Sequence, residues 1–381
     1  MEPRKRGFVA RADVAGATLE GVLGPRGAAV AIGALLLCMA AVYVTPALTT
    51  VNYGGDFRAL SVDPFNMMSR NPMRLRILTP LLAHYAFFRD GAYLFFPLLM
   101  AVLFLAAVFL YARRRGLGSA EAIGVAALMA FSTPVLFVLH FQGYVDPTSY
   151  LFVFLALITI EKLWAWPFFY ALALLNHEAN LFIAPLLLVA VNLKHVRPAK
   201  TLAAAALVVL AAVPLFLYRQ WAQQHGQGML DDSFYLNWSN LERSIRDTGK
   251  LLPMGVFYAF KLFWIFPLVA LRWHWRKRDG AALAFVVVGF FCAFGQLLIA
   301  SDTSRLMGLA FPIIVFGAIS AREAWGSEVF GRRLWRLIGF NFLIIPYYVG
   351  QSTPIPFYPL PLSLALRWIW QVDPWRLWWS G

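Results

Sequence analysis

The first segment with residue types suited to chemistry is an acid that follows two glycines. Asp56 stands after Gly54 and Gly55, and two glycines permit a tight backbone turn. Arg74 and Arg76 follow, and their forked guanidinium groups suit phosphate oxygens. The segment therefore combines a carboxylate with a candidate phosphate site. Contact with anionic lipid headgroups is the alternative interpretation of the arginines, because headgroups present the same phosphate chemistry.

Two later acids stand at the predicted starts of helices. Asp146 lies directly before Pro147, where the backbone is held in an extended or turn conformation and the carboxylate can cap the next helix. Asp302 lies three residues before Arg305, so it could be an N-cap with that arginine as its partner. Capping and a role in function stay open for both acids.

A further polar group interrupts the long apolar run at 164–193. His177 and Glu178 lie at this interruption, which divides the run into two helices too short to cross a bilayer core. The carboxylate should therefore lie below the membrane surface, where it needs a partner or a water-filled cavity. This position favours a functional role for Glu178. Leu181 stands where a zinc-protease helix would need its second histidine, which excludes that motif.

Other sequence signatures of soluble enzymes are absent. We find no GxSxG, Walker loop or GxGxxG in a strand context. Cys38 and Cys292 both fall in apolar runs without a partner at metal-ligand spacing, so the sequence supports neither a disulfide framework nor a zinc site. Scattered acids could hold a divalent metal, but no ligand spacing supports one.

The elements that must position these residues are apolar helices. Hydrophobic residues make up 60% of the chain and charged residues 14%, with a mean hydropathy of +0.65. A soluble fold could not cover such a core, whereas spans of about 20 apolar residues explain it. The formal charge of +14 comes from short clusters between apolar runs, which indicates membrane topology and not nucleic-acid binding.

Basic clusters such as Arg113 to Arg115 and Arg272 to Arg278 mark the cytoplasmic side. On this basis we predict an all-α, polytopic membrane protein with about 11 or 12 transmembrane helices, some short or broken. The basic start favours an uncleaved signal anchor. We expect one helical domain over 1–381, with a cytoplasmic tail at 1–27, a first span at 28–50, a first extracytoplasmic loop with an interfacial helix at 51–90, a longer outer loop at 219–252, an eleventh span ending near Gly350, and a Pro/Trp-rich tail at 351–381. Its run at 357–370 either spans the membrane or lies at the interface.

This topology gathers the ionisable residues on one face. The predicted spans are nearly free of charge, with Lys261 as the main exception. A transporter would more often carry acids near mid-bilayer. The residues expected at the outer face are Asp56, Asp63, Arg70, Arg74, Arg76, Asp146, His177, Glu178, Asp231, Asp232, Asp302 and Arg305.

An acid just past the first span, an interfacial helix after it, acids in later outer loops and short irregular spans together resemble the GT-C superfamily of membrane glycosyltransferases. The resemblance covers the whole chain as architecture. The sequence departs from the family in two features: Asp56 has no acidic neighbour before Asp63, and the large soluble C-terminal domain of many members is missing.

The resemblance implies transfer of a sugar from a polyprenyl-phosphate carrier to an envelope acceptor. On that scheme Asp56 is the base, Arg74, Arg76 and Arg305 bind the phosphate, and Asp146, His177, Glu178 and Asp302 line the sugar pocket or support the base. Membrane lipids would surround a multi-pass protein of the bacterial inner membrane with its active face extracytoplasmic. A transporter or flippase of an amphipathic lipid, and a non-catalytic assembly subunit, are the alternatives.

Overall fold

The computed structural model describes residues 8–44, 46, 50, 53–66, 72–193, 197–226, 238–298, 302–350 and 354–369. The structure is 82% helical with almost no sheet, so the prediction of an all-α fold is confirmed. Several predicted features lie outside the described residues, namely Arg70, Asp231, Asp232, the first seven residues of the tail at 1–27 and residues 370–381.

The α-helices within the described ranges are α1 (Phe8–Tyr43), α2 (Gly54–Val62), α3 (Leu78–Tyr85), α4 (Phe95–Arg114), α5 (Ser119–Ala130), α6 (Thr133–His140), α7 (Asp146–Ile158), α8 (Ala165–Asn176), α9 (Ala184–Ala190), α10 (Pro198–His225), α11 (Trp238–Gly249), α12 (Leu252–Phe260), α13 (Ile265–Lys277), α14 (Gly280–Gly295), α15 (Thr303–Leu306), α16 (Phe311–Trp325), α17 (Ser327–Leu343) and α18 (Leu360–Ile369).

Short 3₁₀ helices extend or join many of these elements. Five of them matter for the span boundaries or for the site, and they lie at Pro72–Leu75, Asp90–Leu94, Glu178–Ile183, Lys261–Trp264 and Met307–Ala310. The sheet in the described part is one hairpin, in which β1 (Tyr347–Val349) pairs antiparallel with β2 (Pro354–Pro356).

Five helices are long and apolar enough to cross a membrane, and the number rises to six if α5 and α6, bent by 57°, form one span. The five cover Val9–Tyr43, Asp90–Arg114, Pro198–His225, Leu252–Lys277 and Thr303–Trp325. Four shorter apolar helices come in addition, at Asp146–Ile158, Ala165–Asn176, Glu178–Ala190 and Gly280–Gly295. The larger predicted count includes such short segments, and that count stays a prediction.

The predicted interruption of the apolar run at 164–193 is confirmed. Helix α8 ends at Asn176, and a 3₁₀ turn precedes α9. The eleventh span was predicted to end too late, because α17 ends at Leu343 and the β hairpin follows it. Helix α17 is also not among the long or shorter helices that are apolar enough for a membrane. Pro346 lies in this connection, where a residue without a backbone N–H cannot continue the helix ladder.

Two segments predicted as a tail and a loop contain helix. Residues 8–23 of the predicted tail belong to α1, which continues beyond a non-helical Gly24 into the first span. In the segment 219–252, α10 extends to His225 and α11 occupies much of the remainder, while 227–237 lie outside the described residues. Strong helix formers such as Ala, Gln and Arg in these stretches favour helix, also in the polar segment 219–252.

The helices pack around a shared apolar core. Helix α4 packs against α1 and α7, α7 packs against α8, and α13 packs against α16. Phe104 of α4 contacts Tyr150 and Phe154 of α7 and Phe311 of α16, with ring centroids 5.1 to 6.0 Å apart. Edge-to-face packing of this kind stabilises the junction of three helices beyond the burial of their surface. The Thr303–Trp325 segment is the most buried of the five long ones.

Lys261, the charged exception predicted inside a span, is almost fully buried. Its Nζ donates to the hydroxyl of Tyr43 at 3.0 Å and to the carbonyl oxygen of Ile344 at 3.0 Å. Ile344 directly follows α17. The ammonium therefore satisfies a carbonyl at a helix C-terminus, where the helix dipole favours a positive charge.

Candidate functional site

Six of the predicted site residues lie around the break between α8 and α9. We call them the polar cluster: Arg76, Asp146, His177, Glu178, Asp302 and Arg305. Four segments supply them, namely the residue after the Pro72–Leu75 turn, the start of α7, the break itself and the start of α15. Residues up to 229 positions apart in the sequence, counted as 305 minus 76, thus share one site.

The pair of Asp146 and Arg305 forms the buried centre of the cluster. Arg305 Nε donates to Asp146 Oδ1 at 2.9 Å, and both side chains are more than nine-tenths buried. Arg305 Nη1 also donates to Asp302 Oδ2 at 3.2 Å. The guanidinium carbon lies 4.8 Å from the ring centroid of Tyr144 and 5.3 Å from that of Phe137. Two carboxylates and two aromatic faces together compensate a charge that would otherwise be costly to bury.

These contacts bear on the capping interpretation of the two acids. The N-cap residue of α7 is Val145 and not Asp146, and Asp302, the N-cap residue of α15, makes no side-chain cap hydrogen bond. Their carboxylates bind Arg305 instead. The partner expected for Asp302 is therefore present, whereas the N-cap hydrogen bond is not formed. Asp146 still benefits from its place in the first turn of α7, where the helix dipole favours a negative charge.

The β hairpin adds a residue that the sequence did not single out. Tyr348 donates from its hydroxyl to Asp302 Oδ1 at 2.8 Å. Burial raises the pKa of Tyr348 well above its ordinary value, and the adjacent Asp302 raises it further, so the phenol stays a neutral donor. Ser304 Oγ accepts from the backbone N–H of Val349 at 2.9 Å, which fixes β1 against α15. A tyrosine at the end of a predicted span carries no local signal of this contact.

The predicted need of Glu178 for a partner is met by Arg76. Arg76 Nη2 donates to Oε1 at 2.7 Å and Nε donates to Oε2 at 3.2 Å, in a bidentate pair. The backbone N–H of Ala179 donates to His177 Nδ1 at 3.1 Å. That bond assigns the neutral imidazole with its proton on Nε2. The ion pair with Glu178 thus connects Arg76 of the first outer loop to the break between α8 and α9.

Asn176, the last residue of α8, connects the same framework to α3 and makes further bonds to α7. Its Oδ1 accepts from the backbone N–H and the hydroxyl of Thr79 in α3, while its Nδ2 donates to Val145 O and Ser149 Oγ at 2.8 Å. All four hydrogen-bonding positions of the amide are therefore used. An asparagine inside an apolar run is the sequence signal for such a role, since an unsatisfied amide there would be costly.

A small cavity of about 20 Å³ lies within the cluster, lined by Asp146, His177 and Arg305 among others. Three buried polar atoms of its lining residues make no hydrogen bond within the described part of the chain, namely Asp146 Oδ2, Arg305 Nη2 and Gln296 Oε1. The volume matches about one water molecule and is too small for a sugar. The cluster therefore retains unused hydrogen-bonding atoms, but in this conformation it has no room for a sugar.

Asp56 lies outside the hydrogen-bonded cluster but is held close to the segment that leads into it. It is half-buried in the first turn of α2. The preceding Gly54 approaches the Gln142 carbonyl so closely that a Cβ atom there would lie 2.2 Å from its oxygen. The adjoining Gly143 has a φ of +96°, a conformation that favours glycine. Both glycines therefore allow α2 to contact the backbone just before Asp146.

Arg74 is a residue of the first outer loop whose charge interacts with that of Asp56. Its side chain is buried, and its Nη1 has no hydrogen-bond partner within the described part of the chain. Burial lowers the pKa of Arg74, whereas Tyr218, Asp56 and Asp63 oppose that shift through their charges. Tyr218 also donates to the backbone carbonyl of Arg74 at 2.8 Å. A cation with spare donor capacity thus lies within electrostatic range of a half-buried carboxylate.

The predicted residues therefore fall into two connected groups. The half-buried Asp56 and the buried Arg74 form the first group, and the polar cluster forms the second. Arg76, two residues after Arg74, links them. Among the residues that the structure describes, no three His, Cys, Asp or Glu side chains are placed to hold a metal ion.

No protein-family model matches the sequence, and no curated protein matches it.

Proposed function

We propose that this chain is a membrane glycosyltransferase that moves a sugar from a polyprenyl-phosphate-linked donor to an envelope acceptor at the extracytoplasmic face of the bacterial inner membrane. The observation that supports the proposal is the electrostatic interaction of Asp56 with Arg74, a buried guanidinium whose Nη1 has no hydrogen-bond partner among the described residues. Such a pair supplies the two groups that this reaction needs, a proton acceptor and a cation for the leaving phosphate.

The proposed step is a displacement at the anomeric carbon. The acceptor hydroxyl oxygen forms the new bond to that carbon, and the bond from the carbon to the phosphate oxygen breaks. The phosphate leaves with the bonding electron pair, and Arg74 stabilises the added charge through charge-assisted hydrogen bonds. Asp56 takes the proton that the acceptor hydroxyl loses.

The polar cluster supports this pair in our scheme. Arg76 is bound at both ends of its fork by Glu178, and Arg305 is bound by two carboxylates. We therefore assign their main role to positioning, and Arg74 becomes the first candidate for the phosphate. His177, Asp146 and Asp302 complete the rigid support, since a site must be held within about 0.5 Å of its productive geometry.

The test uses the full-length protein in vesicles with a panel of polyprenyl-phosphate hexoses and pentoses. We expect labelled sugar to leave the carrier in the presence of the protein. Arg74→Met should raise the KM for the carrier by at least about tenfold while the KM for the acceptor changes little, because one charged contact to the carrier is lost. Arg89→Met is the matched control, since Arg89 belongs to the same predicted loop and donates only to the backbone carbonyl of His84 among the described residues.

Carrier flux across the vesicle membrane without sugar transfer would contradict the proposal in favour of a transporter. If the protein neither binds the carrier nor transfers any sugar of the panel, an assembly subunit is favoured. Equal carrier KM values for wild type and Arg74→Met would remove the phosphate role from Arg74.

A further inference from the structure

A groove between two helices lies at the opposite end of α4 from the polar cluster. Helix α1 is interrupted at Gly24, whose φ of +68° and ψ of 167° are non-helical, and it resumes at Pro25. A positive φ favours glycine, and proline suits the first position of a helix. The interruption faces the last turns of α4 and leaves a groove of about 610 Å³ between the two helices.

The groove carries a positive charge that is only partly compensated. Its ionisable lining residues are Glu20, Arg26, Arg113 and Arg114. Arg113 is occupied, since its Nε and Nη2 donate to the two carboxylate oxygens of Glu20 at 2.8 and 3.0 Å. Arg26 and Arg114 are exposed, and no hydrogen bond or ion pair within the described residues engages either side chain. Two guanidinium groups with full donor capacity therefore border the groove.

The remaining wall of the groove is apolar. Leu23, Pro25, Phe109 and Leu110 form it. Leu23 in this wall is 49% exposed, and its chain neighbour Val22 is 76% exposed. Side chains of this type at the edge of a predicted membrane span are expected to face lipid, so the groove opens toward a bilayer interface and not toward bulk water alone.

The groove is separate from the proposed catalytic site. Helix α4 contains 20 residues, which corresponds to a length of about 30 Å. Its first end lies near the cluster, where Tyr93 just before it donates to the carbonyl of Gly143, and its last turn carries Arg113 and Arg114. The groove and the cluster therefore lie at opposite ends of a helix as long as a bilayer core is thick.

We propose that this groove binds the headgroup of an anionic phospholipid from the cytoplasmic leaflet. The phosphate would accept hydrogen bonds from Arg26 and Arg114, and the first carbons of the acyl chains would contact the apolar wall. Basic pockets between membrane helices on the cytoplasmic side are suited to this ligand, because charge and apolar contact act at the same depth. The proposal requires membrane insertion but no glycosyltransferase activity.

The test measures lipid binding by the full chain in neutral detergent. Fluorescent phosphatidylglycerol and fluorescent phosphatidylcholine are titrated into wild type, into the double variant Arg26→Ala/Arg114→Ala, and into the control Arg115→Ala/Arg276→Ala. The control removes the same charge from the same predicted face, but Arg115 bonds the hydroxyl of Tyr111 and does not line the groove. All four arginines are exposed, so the fold should survive, and thermal unfolding checks this.

Wild type should bind phosphatidylglycerol more tightly than phosphatidylcholine. The groove variant should lose about thirtyfold in affinity for phosphatidylglycerol, given about fivefold for each basic residue at a membrane surface, while the control should lose less than threefold. Equal losses in the two double variants, or equal binding of the two lipids by wild type, would overturn the proposal. Full competition by millimolar inorganic phosphate would overturn it as well, because the site would then recognise a free anion. Since no arm measures sugar transfer, failure here leaves the proposed function untouched.

Discussion

Arg305 donates from Nε to Oδ1 of Asp146 at 2.9 Å across 159 positions of sequence. This bond joins the start of α15 to the start of α7 at a depth where both side chains are almost inaccessible. Removal of one member of a buried ion pair leaves an uncompensated charge in a medium that solvates it poorly. The pair is therefore the contact of the site whose loss should cost the most stability.

We predict that Asp146→Ala lowers the free energy of unfolding by about 3 to 5 kcal/mol. Arg332→Ala is the matched control, because it breaks an exposed pair with Glu328 at 3.5 Å and should change stability by no more than about 0.5 kcal/mol. Unfolding monitored by intrinsic fluorescence in detergent measures both. If Asp146→Ala and Arg332→Ala cause equally small losses of stability, Asp302 alone is sufficient to compensate the charge of Arg305.

A second prediction concerns the contact between α2 and the segment before Asp146. A Cβ at Gly54 would lie 2.2 Å from the Gln142 carbonyl oxygen, whereas the nearest atom to a Cβ at Gly55 is 3.9 Å away. Gly54→Ala should therefore displace α2 and destabilise the protein by about 1 to 3 kcal/mol, and Gly55→Ala should be neutral or slightly stabilising. Unfolding temperatures of the two variants test the contact, and similar values for both would refute it.

A third prediction concerns the stability that depends on the ion pair of Arg76 and Glu178. Glu178→Gln should destabilise the protein by roughly 2 to 4 kcal/mol, because the buried arginine loses its counter-charge. The double variant Arg76→Met/Glu178→Met should recover most of that stability, since apolar side chains of similar volume replace the pair. A double-mutant cycle over Arg76→Met, Glu178→Met and the double variant measures the coupling. Simply additive losses would mean that the two side chains do not depend on each other.

The sequence allowed part of this site to be predicted, and the reasons are physical. The apolar run at 164–193 is too long for one helix and too short for two complete spans. An acid inside it therefore needs a partner below the membrane surface, and Glu178 has one in Arg76. Basic clusters oriented the spans and so placed Asp56, Asp146 and Asp302 on one face. Each of these inferences used a local pattern, such as length, charge or the neighbourhood of a proline.

The pairing of the residues could not be predicted in this way. Arg76 lies 102 positions from Glu178, and no local rule distinguishes it from Arg74 as the partner. Tyr348 was missed because the end of α17 was predicted too late, so its hairpin was assigned to a span. The short approach of Gly54 to Gln142 depends on tertiary packing, which a pair of glycines permits but does not specify.

The measurement that tests the central claim most directly is sugar transfer by Asp56→Asn beside Asp63→Asn. Both acids interact electrostatically with Arg74, and both substitutions keep size and remove one charge, but only Asp56 is assigned as the base. Asp56→Asn should lower the rate of transfer by about 10² to 10⁴, with carrier binding and unfolding temperature unchanged, while Asp63→Asn should stay within about threefold of wild type. Near-normal transfer by Asp56→Asn, or equal losses in the two variants, would contradict the account.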